Sequence, residues 1–321
     1  MKYKAVRILL LFASLLIVLF IGILIGHNLH KSKDEAPHKN LKPRVEAAGD
    51  DKKWYCEPGE EGDLIYENYW AYVASSYIIV GDIPNCALYK IIPGAPRNDY
   101  VKTNFYTDED GFCYYHDASG ERTSTLAVDL SVYQDELDYQ ALAAAGVTVC
   151  MLRVGFRGYG SGAIVEDEMF ETHYKGAIKA GMKVGVYFFS QAVDADEGRE
   201  EAEFVLDMIK GHKIKAPVVI DTEFIADEEA RTFDLDNETR TAGVVGFCER
   251  VKEAGYTPMV YANRNWFVES LDMSQLLSYK LWLANYAERP DFPYVYTGWQ
   301  YTDSGSVPGI PAELDLNVWM E

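Results

Sequence analysis

At 321 residues, 48% hydrophobic and 25% charged, the chain has enough apolar side chains to bury an ordinary core in one large domain or two modest ones. Its formal net charge of −20 at pH 7 argues against nucleic acid as a partner, because such binders neutralise phosphates with clustered Lys and Arg. The acidity serves colloidal solubility and leaves acidic side chains available to line a cleft.

The amino terminus reads as an address. Lys2, Lys4 and Arg7 precede an uncharged apolar run from Ile8 to Gly26. As a helix rising about 1.5 Å per residue it spans roughly 28 Å, close to the hydrocarbon thickness of a bilayer. The alternative is a cleaved signal peptide, whose apolar core is about 7–15 residues long and ends in a small-x-small site. This run ends instead in Ile25-Gly26-His27-Asn28. The expectation is a transmembrane signal-anchor within residues 1–31, holding a single-pass protein in the cell membrane. The basic residues keep its amino terminus inside and put everything after Lys31 outside; secretion after cleavage is the alternative.

Residues 32–53 are polar, carry Pro37 and Pro43, and end in the run Asp50-Asp51-Lys52-Lys53. They cannot bury enough apolar surface to fold and read as a linker. Residues 54–124 are rich in Tyr, with short β-prone runs (Tyr77–Val80, Phe112–Tyr115) between the turn signals Pro84-Asn85, Pro93-Gly94 and Asp110-Gly111. They read as a small β-rich extension whose aromatics pack a core or offer a sugar-binding face. None of the five cysteines forms a Cys-x-x-Cys pair. Cys56, Cys86 and Cys113 fall in this extension, where a disulfide would persist outside the cell, whereas Cys150 and Cys248 read as small core residues.

From Leu126 onward a unit repeats. Ala145-Gly146, Ala180-Gly181 and Ala254-Gly255 each close a helical stretch and lead at once into an apolar run: Val147–Val154, Lys183–Phe189 and Pro258–Tyr261. A glycine just past the last helical residue takes the left-handed conformation that ends a helix. The helices carry one-sided apolar stripes, such as Phe170, Tyr174, Ala177 and Ile178, or Val244, Phe247, Cys248 and Val251. Further strands read at Leu126–Leu130, Pro217–Glu223, Leu281–Tyr286, Gly298–Tyr301 and Leu314–Val318. Helices alternating with nearly all-apolar strands predict an α/β fold, a parallel sheet covered by helices. The eight strands fit an irregular (β/α) TIM-like barrel over residues 125–321.

A barrel of this kind does its chemistry at the carboxyl ends of its strands. Three such ends carry acids: Asp129 after Ala127-Val128, Asp221 and Glu223 after Val218-Val219-Ile220, and Asp315 after Leu314. Side chains alternate along a strand, so Asp221 and Glu223 share a face. Two carboxyls held together raise the proton affinity of one, which suits it to be an acid at neutral pH. Glycosidases need this pairing, one group protonating the leaving oxygen and another stabilising the oxocarbenium-like centre. Solvated strand-end acids would give the same Asp-x-Glu; three acid-bearing ends make it a cleft.

Other chemistries find no support. There is no Gly-x-Ser-x-Gly elbow, and His173 and His212 form no His-Glu-x-x-His motif, reading as surface residues. The stretch Gly155-Phe156-Arg157-Gly158-Tyr159-Gly160 opens no immediate helix and reads as a flexible loop over the site. Aromatics complete the picture. Tyr187, Tyr261, Trp282, Trp299 and Tyr301 lie in or at the ends of inferred strands, as Tyr286 does. Flat rings are an expected wall for sugar C–H faces, with Trp282 and Tyr301 the strongest candidates; core packing is the alternative.

Residues 126–321 resemble the glycoside hydrolase family 25 muramidases, the Chalaropsis-type lysozymes. The matching segments are Val128-Asp129-Leu130-Ser131-Val132-Tyr133-Gln134, Gly185-Val186-Tyr187-Phe188-Phe189-Ser190, Val219-Ile220-Asp221-Thr222-Glu223, Leu281-Trp282-Leu283-Ala284, Trp299-Gln300-Tyr301 and Asp315-Leu316-Asn317. The resemblance implies a peptidoglycan hydrolase that cuts the β-1,4 bond between N-acetylmuramic acid and N-acetylglucosamine, with no metal or cofactor. It also implies Glu223 as general acid, Asp221 as its partner, and Asp129 and Asp315 as flanking acids. Many members carry His where Phe188 stands. A wall-binding protein on a retained barrel and a glycosidase for chitin-like glycan are the competing functions. Against the second, Ala216-Pro217-Val218-Val219 occupies the upstream positions of the chitinase-type Asp-x-x-Asp-x-Asp-x-Glu.

Overall fold

A computed structural model describes residues 73, 75–81 and 86–320, together with the backbone of 46–48 and 53–55. The chain divides into two units, Met1–Trp70 and Ala71–Glu321. In the first, strands β1 (Glu46–Ala48) and β2 (Lys53–Tyr55) pair antiparallel at the end of the stretch read as a linker. The anchor run Ile8–Gly26, most of that linker and Cys56 lie outside the described residues. Among the described residues, no helix is long and apolar enough to cross a membrane.

The second unit begins with two antiparallel hairpins, β3 (Tyr77–Val80) with β4 (Ala87–Lys90) and β5 (Phe105–Thr107) with β6 (Cys113–Tyr115). There follow β7 (Ser124–Leu130), α1 (Tyr139–Ala144), β8 (Val147–Arg157), β9 (Ile164–Glu166), α2 (Phe170–Lys179), β10 (Lys183–Phe189) and α3 (Ala195–Met208). The chain continues through β11 (Val218–Asp221), α4 (Asn237–Glu253), β12 (Pro258–Asn263), α5 (Arg264–Glu269), α6 (Met273–Leu276), β13 (Lys280–Ala284), β14 (Gly298–Gly305) and β15 (Leu314–Met320). The three Ala-Gly helix ends are as expected: Gly146, Gly181 and Gly255 have φ of 97°, 84° and 84°.

All eight expected strands form, but the (β/α) TIM-like barrel does not. The strands close a mixed barrel in the order β10-β11-β12-β13-β14-β15-β7-β8, with β8 pairing back to β10. Strands β7, β8 and β10 to β14 run parallel, whereas β15 is antiparallel to both β14 and β7. The reason is chain length. Strand β14 runs on to Gly305, beyond the expected Tyr301, and residues 306–313 are too few for the crossover of about a dozen residues or more that a parallel return needs. Helices also cease after α6, and residues 285–297 join β13 to β14 without one. Other expectations are corrected. Residues 155–157 are no loop but the end of β8, paired with β9, and only 158–163 turn. His173 is fully buried, its Nδ1 2.8 Å from Tyr139 Oη and its Nε2 3.0 Å from the Ser131 carbonyl. Cys86 and Cys113 are free thiols, and Cys150 and Cys248 are fully buried, as expected.

Alternation along the strands sorts two cores. Inside the barrel, Ala127, Val149, Met151, Val219, Met259, Trp282 and Trp319 pack together. Room for the two indoles comes from glycine: a Cβ on Gly298 would sit 2.8 Å from Trp282 Cδ1 and 2.9 Å from Trp319 Cζ3. The outer faces of the same strands carry Leu126, Val128, Leu152, Val186, Ile220 and Leu283 into a larger core. Part of it is supplied by the hairpin segment. Phe105 meets Trp299 edge-on at 5.1 Å, Asn98 Nδ2 donates to the Phe292 and Tyr294 carbonyls, and Tyr100 Oη donates to the Tyr296 carbonyl. Helices α3 and α4 meet backbone to backbone, since any side chain on Gly198 would run into the Gly243 carbonyl and one on Gly246 into that of Ala195. Asp194 and Asp236 cap their amino ends, accepting from the Glu197 and Thr239 amides; such caps contribute about 1 kcal/mol each.

Candidate active site

Above the apolar plug, inward positions at the carboxyl ends of the parallel strands turn polar. Asp129 on β7 lies directly opposite Asp315 on β15, whose negative charge raises the proton affinity of Asp129. Asp221 ends β11 beside Tyr261; the charge of Glu223 bears on its carboxyl, whose buried Oδ1 has no hydrogen-bond partner. Two carboxyls placed side by side raise the proton affinity of at least one of them. In the ring of strands, β11 and β15 stand diametrically opposed. One acid pair therefore faces the other across the mouth.

Burial sets the proton affinities. Asp129 and Asp221 are each 5% exposed, and both are held far above the usual carboxylate range by desolvation. The neighbouring acid adds to this, Asp315 for Asp129 and Glu223 for Asp221. Glu223 is half-buried and also raised, by burial first and by the charge of Asp315 next. Asp315, half-buried, is pushed up to about 6 by burial. Groups tuned this way keep a proton at pH values where free carboxyls have lost it.

Amides hold the floor. Gln300 Nε2 donates to both oxygens of Asp129 at 3.2 and 3.1 Å, and Asn317 Nδ2 donates to Oδ2 at 2.8 Å. Gln300 Oε1 accepts from Tyr261 and Tyr286, both at 2.8 Å, and Asn317 Oδ1 accepts from Trp282 Nε1 at 2.7 Å. Each amide thus has one orientation, nitrogen toward the acid. Arg153 Nε donates to Asp167 at 2.7 Å, and its guanidinium lies 5.0 Å from the ring centre of Tyr133, which is 83% exposed at the rim.

The structure brings Asp129, Asp221, Glu223 and Asp315 together, with Tyr187 and Tyr261 beside them. Tyr187 is half-buried and meets Trp282 edge-on at 6.1 Å. The other three aromatics proposed for sugar contact lie elsewhere. Trp282 is 1% exposed in the plug beneath the acids, a packing residue that orients Asn317. Trp299 and Tyr301 point outward from β14 against the hairpin segment, Trp299 on Phe105 and Tyr301 accepting from the Cys113 amide. Phe188 also faces outward, fully buried against Phe204. Sequence reasoning passed over Gln300 and Asn317 as site residues. The signal was present: a lone amide between two rings on a strand takes the opposite face from them.

Neighbouring carboxyls with raised proton affinity at one mouth of a barrel can serve as an acid–base centre. Residues 128–310 match the model for glycosyl hydrolases family 25, more than half of the chain, and the chain belongs to that family. It is similar to the autolytic lysozyme of Clostridium acetobutylicum, 28% identical over 195 residues that make up 60% of this chain and 55% of that protein. Among solved structures, the modular autolysin LytC from Streptococcus pneumoniae is similar, with a TM-score of 0.55 and 20% identity over 76% of this chain and 61% of that one. A family 25 glycosyl hydrolase from Bacillus anthracis is also similar, with a TM-score of 0.53 and 23% identity over 64% of this chain and 92% of that one. At these identities the two structures speak for the fold. The chain spans little more than half the length of the lysozyme and about three fifths of the autolysin.

Proposed function

We propose that the chain is a muramidase, hydrolysing the β-1,4 bond from N-acetylmuramic acid to N-acetylglucosamine in peptidoglycan. The observation that carries this is two pairs of neighbouring acids on opposite walls of one mouth. Glu223, raised and half-exposed, gives its proton to the glycosidic oxygen. Asp221 works from beneath it. The group that meets the charge developing at the anomeric carbon is the Asp129–Asp315 couple on the facing wall, of which Asp315 is the more open member. Water, activated by the deprotonated Glu223, completes hydrolysis.

The test is the product. Purified peptidoglycan digested by the full chain and reduced with borohydride should yield muramitol ends by mass spectrometry. Glucosaminitol ends would refute the bond assignment. The apolar run Ile8–Gly26 supports a membrane tether that limits the enzyme's reach. The full-length chain should pellet with membranes and resist alkaline carbonate, and deletion of residues 1–31 should release it. Extraction of the full chain by carbonate alone would refute the tether.

A further inference from the structure

Three aromatic rings beside Glu223 have no part in the acid–base chemistry. Phe224 is 53% exposed and Phe233 36% exposed, although burying one such ring stabilises a fold by about 1.5–3 kcal/mol. Their centroids are 6.0 Å apart, and Phe224 lies 5.9 Å from Trp266. Trp266 is fixed from several directions. Its backbone amide donates to the Asn263 cap at 2.8 Å, its Nε1 donates to Thr222 Oγ1 at 3.1 Å, and the Arg240 guanidinium lies 4.5 Å from its ring centre. Thr222 stands between Asp221 and Glu223, so the platform is tied to the acid triplet itself.

We infer that Phe224, Phe233 and Trp266 form the subsite for the leaving sugar, an N-acetylglucosamine ring stacked on their exposed face. The inference rests on the muramidase reading. Position in the barrel decides the side. The charge-stabilising couple sits on β7 and β15, and Glu223 sits opposite on β11. The bond being cut runs from the first wall to the second, and the departing oxygen is the end near Glu223. Its sugar must extend outward past β11 and β12, where Phe224 and Phe233 follow the one strand and Trp266 the other. The chemistry fits. A β-linked glucosamine ring has its substituents equatorial and C–H groups on both faces, which suit flat aromatic surfaces. It also lacks the lactyl ether and peptide of the muramic sugar, so nothing bulky stands between it and the rings.

The experiment has two arms. On soluble glycan fragments of peptidoglycan, Phe224→Ala and Phe224→Leu should each raise KM about tenfold with kcat and its pH profile little changed, while Phe224→Tyr retains the native KM. In the inert Glu223→Gln chain, chitobiose titrated by calorimetry should bind, and the added Phe224→Leu change should weaken it by a similar factor. An unchanged KM in Phe224→Leu, or equal loss in Phe224→Tyr, overturns the platform. Glucosaminitol in place of muramitol ends from the native chain would instead overturn the muramidase reading, so the two failures are distinguishable.

Discussion

Glu223→Gln should lower the release of muramic-acid reducing ends from peptidoglycan by about a thousandfold, within the range that general acid–base catalysis supplies. Glutamine keeps the shape of the side chain and can donate a hydrogen bond to Asp221, so the fold should survive. What it lacks is a proton to transfer. Circular dichroism and the melting temperature at pH 5 should match those of the native chain, which separates lost chemistry from lost structure. A native rate in this variant would remove Glu223 from the mechanism.

The second large effect concerns pH and stability. Asp129, Asp221, Glu223 and Asp315 all bind protons more tightly when folded, Asp315 up to about 6. Glu201 on α3 behaves alike. It is fully buried, accepts from Arg157 and Ser190, and is pushed up to about 7 by desolvation. Above the unfolded carboxyl range, near 4, the folded chain holds protons that the unfolded chain has released. Stability from these groups is therefore full below that range and falls as pH rises through their folded values. His173 opposes them, since its burial lowers its affinity and costs stability as pH falls below the usual histidine value. Five acids outweigh one imidazole. The melting temperature should be roughly 5–10 °C lower at pH 8 than at pH 5, and Asp221→Asn should raise it at pH 8 and flatten the profile. A melting temperature that climbs steadily from pH 5 to pH 8 would contradict the raised affinities.

Much of this site was legible in the sequence, because strand alternation and helix-ending glycines are local properties. Gly146, Gly181 and Gly255 marked where strands begin, and an apolar run ending in Asp221-Thr222-Glu223 marked where one ends at a cleft. What local reading missed was set by neighbours in space. The direction of β15 depends on how far β14 runs before it turns, and β14 continues through the polar Thr302-Asp303-Ser304, which looks like loop. The depth of Trp282 depends on Gly298, a neighbour across the sheet. Trp299 and Tyr301 were credited with sugar contact on residue type, although their shared parity sent both outward and Gln300 in. His173 is buried because Tyr139 and the Ser131 carbonyl, each remote in sequence, satisfy its two nitrogens.

The antiparallel seam where β15 closes the barrel also governs when the acid mouth is assembled. Asn317 grips Asp129 across 188 residues of chain, and Asp315 meets the same acid from the same strand. Until β15 has docked between β14 and β7, the first barrel strand carries a lone carboxyl, and the wall facing Glu223 is incomplete. Contacts between such distant segments form late in folding, after shorter loops have closed. A chain still being synthesised therefore lacks the assembled acid mouth until its final barrel strand arrives.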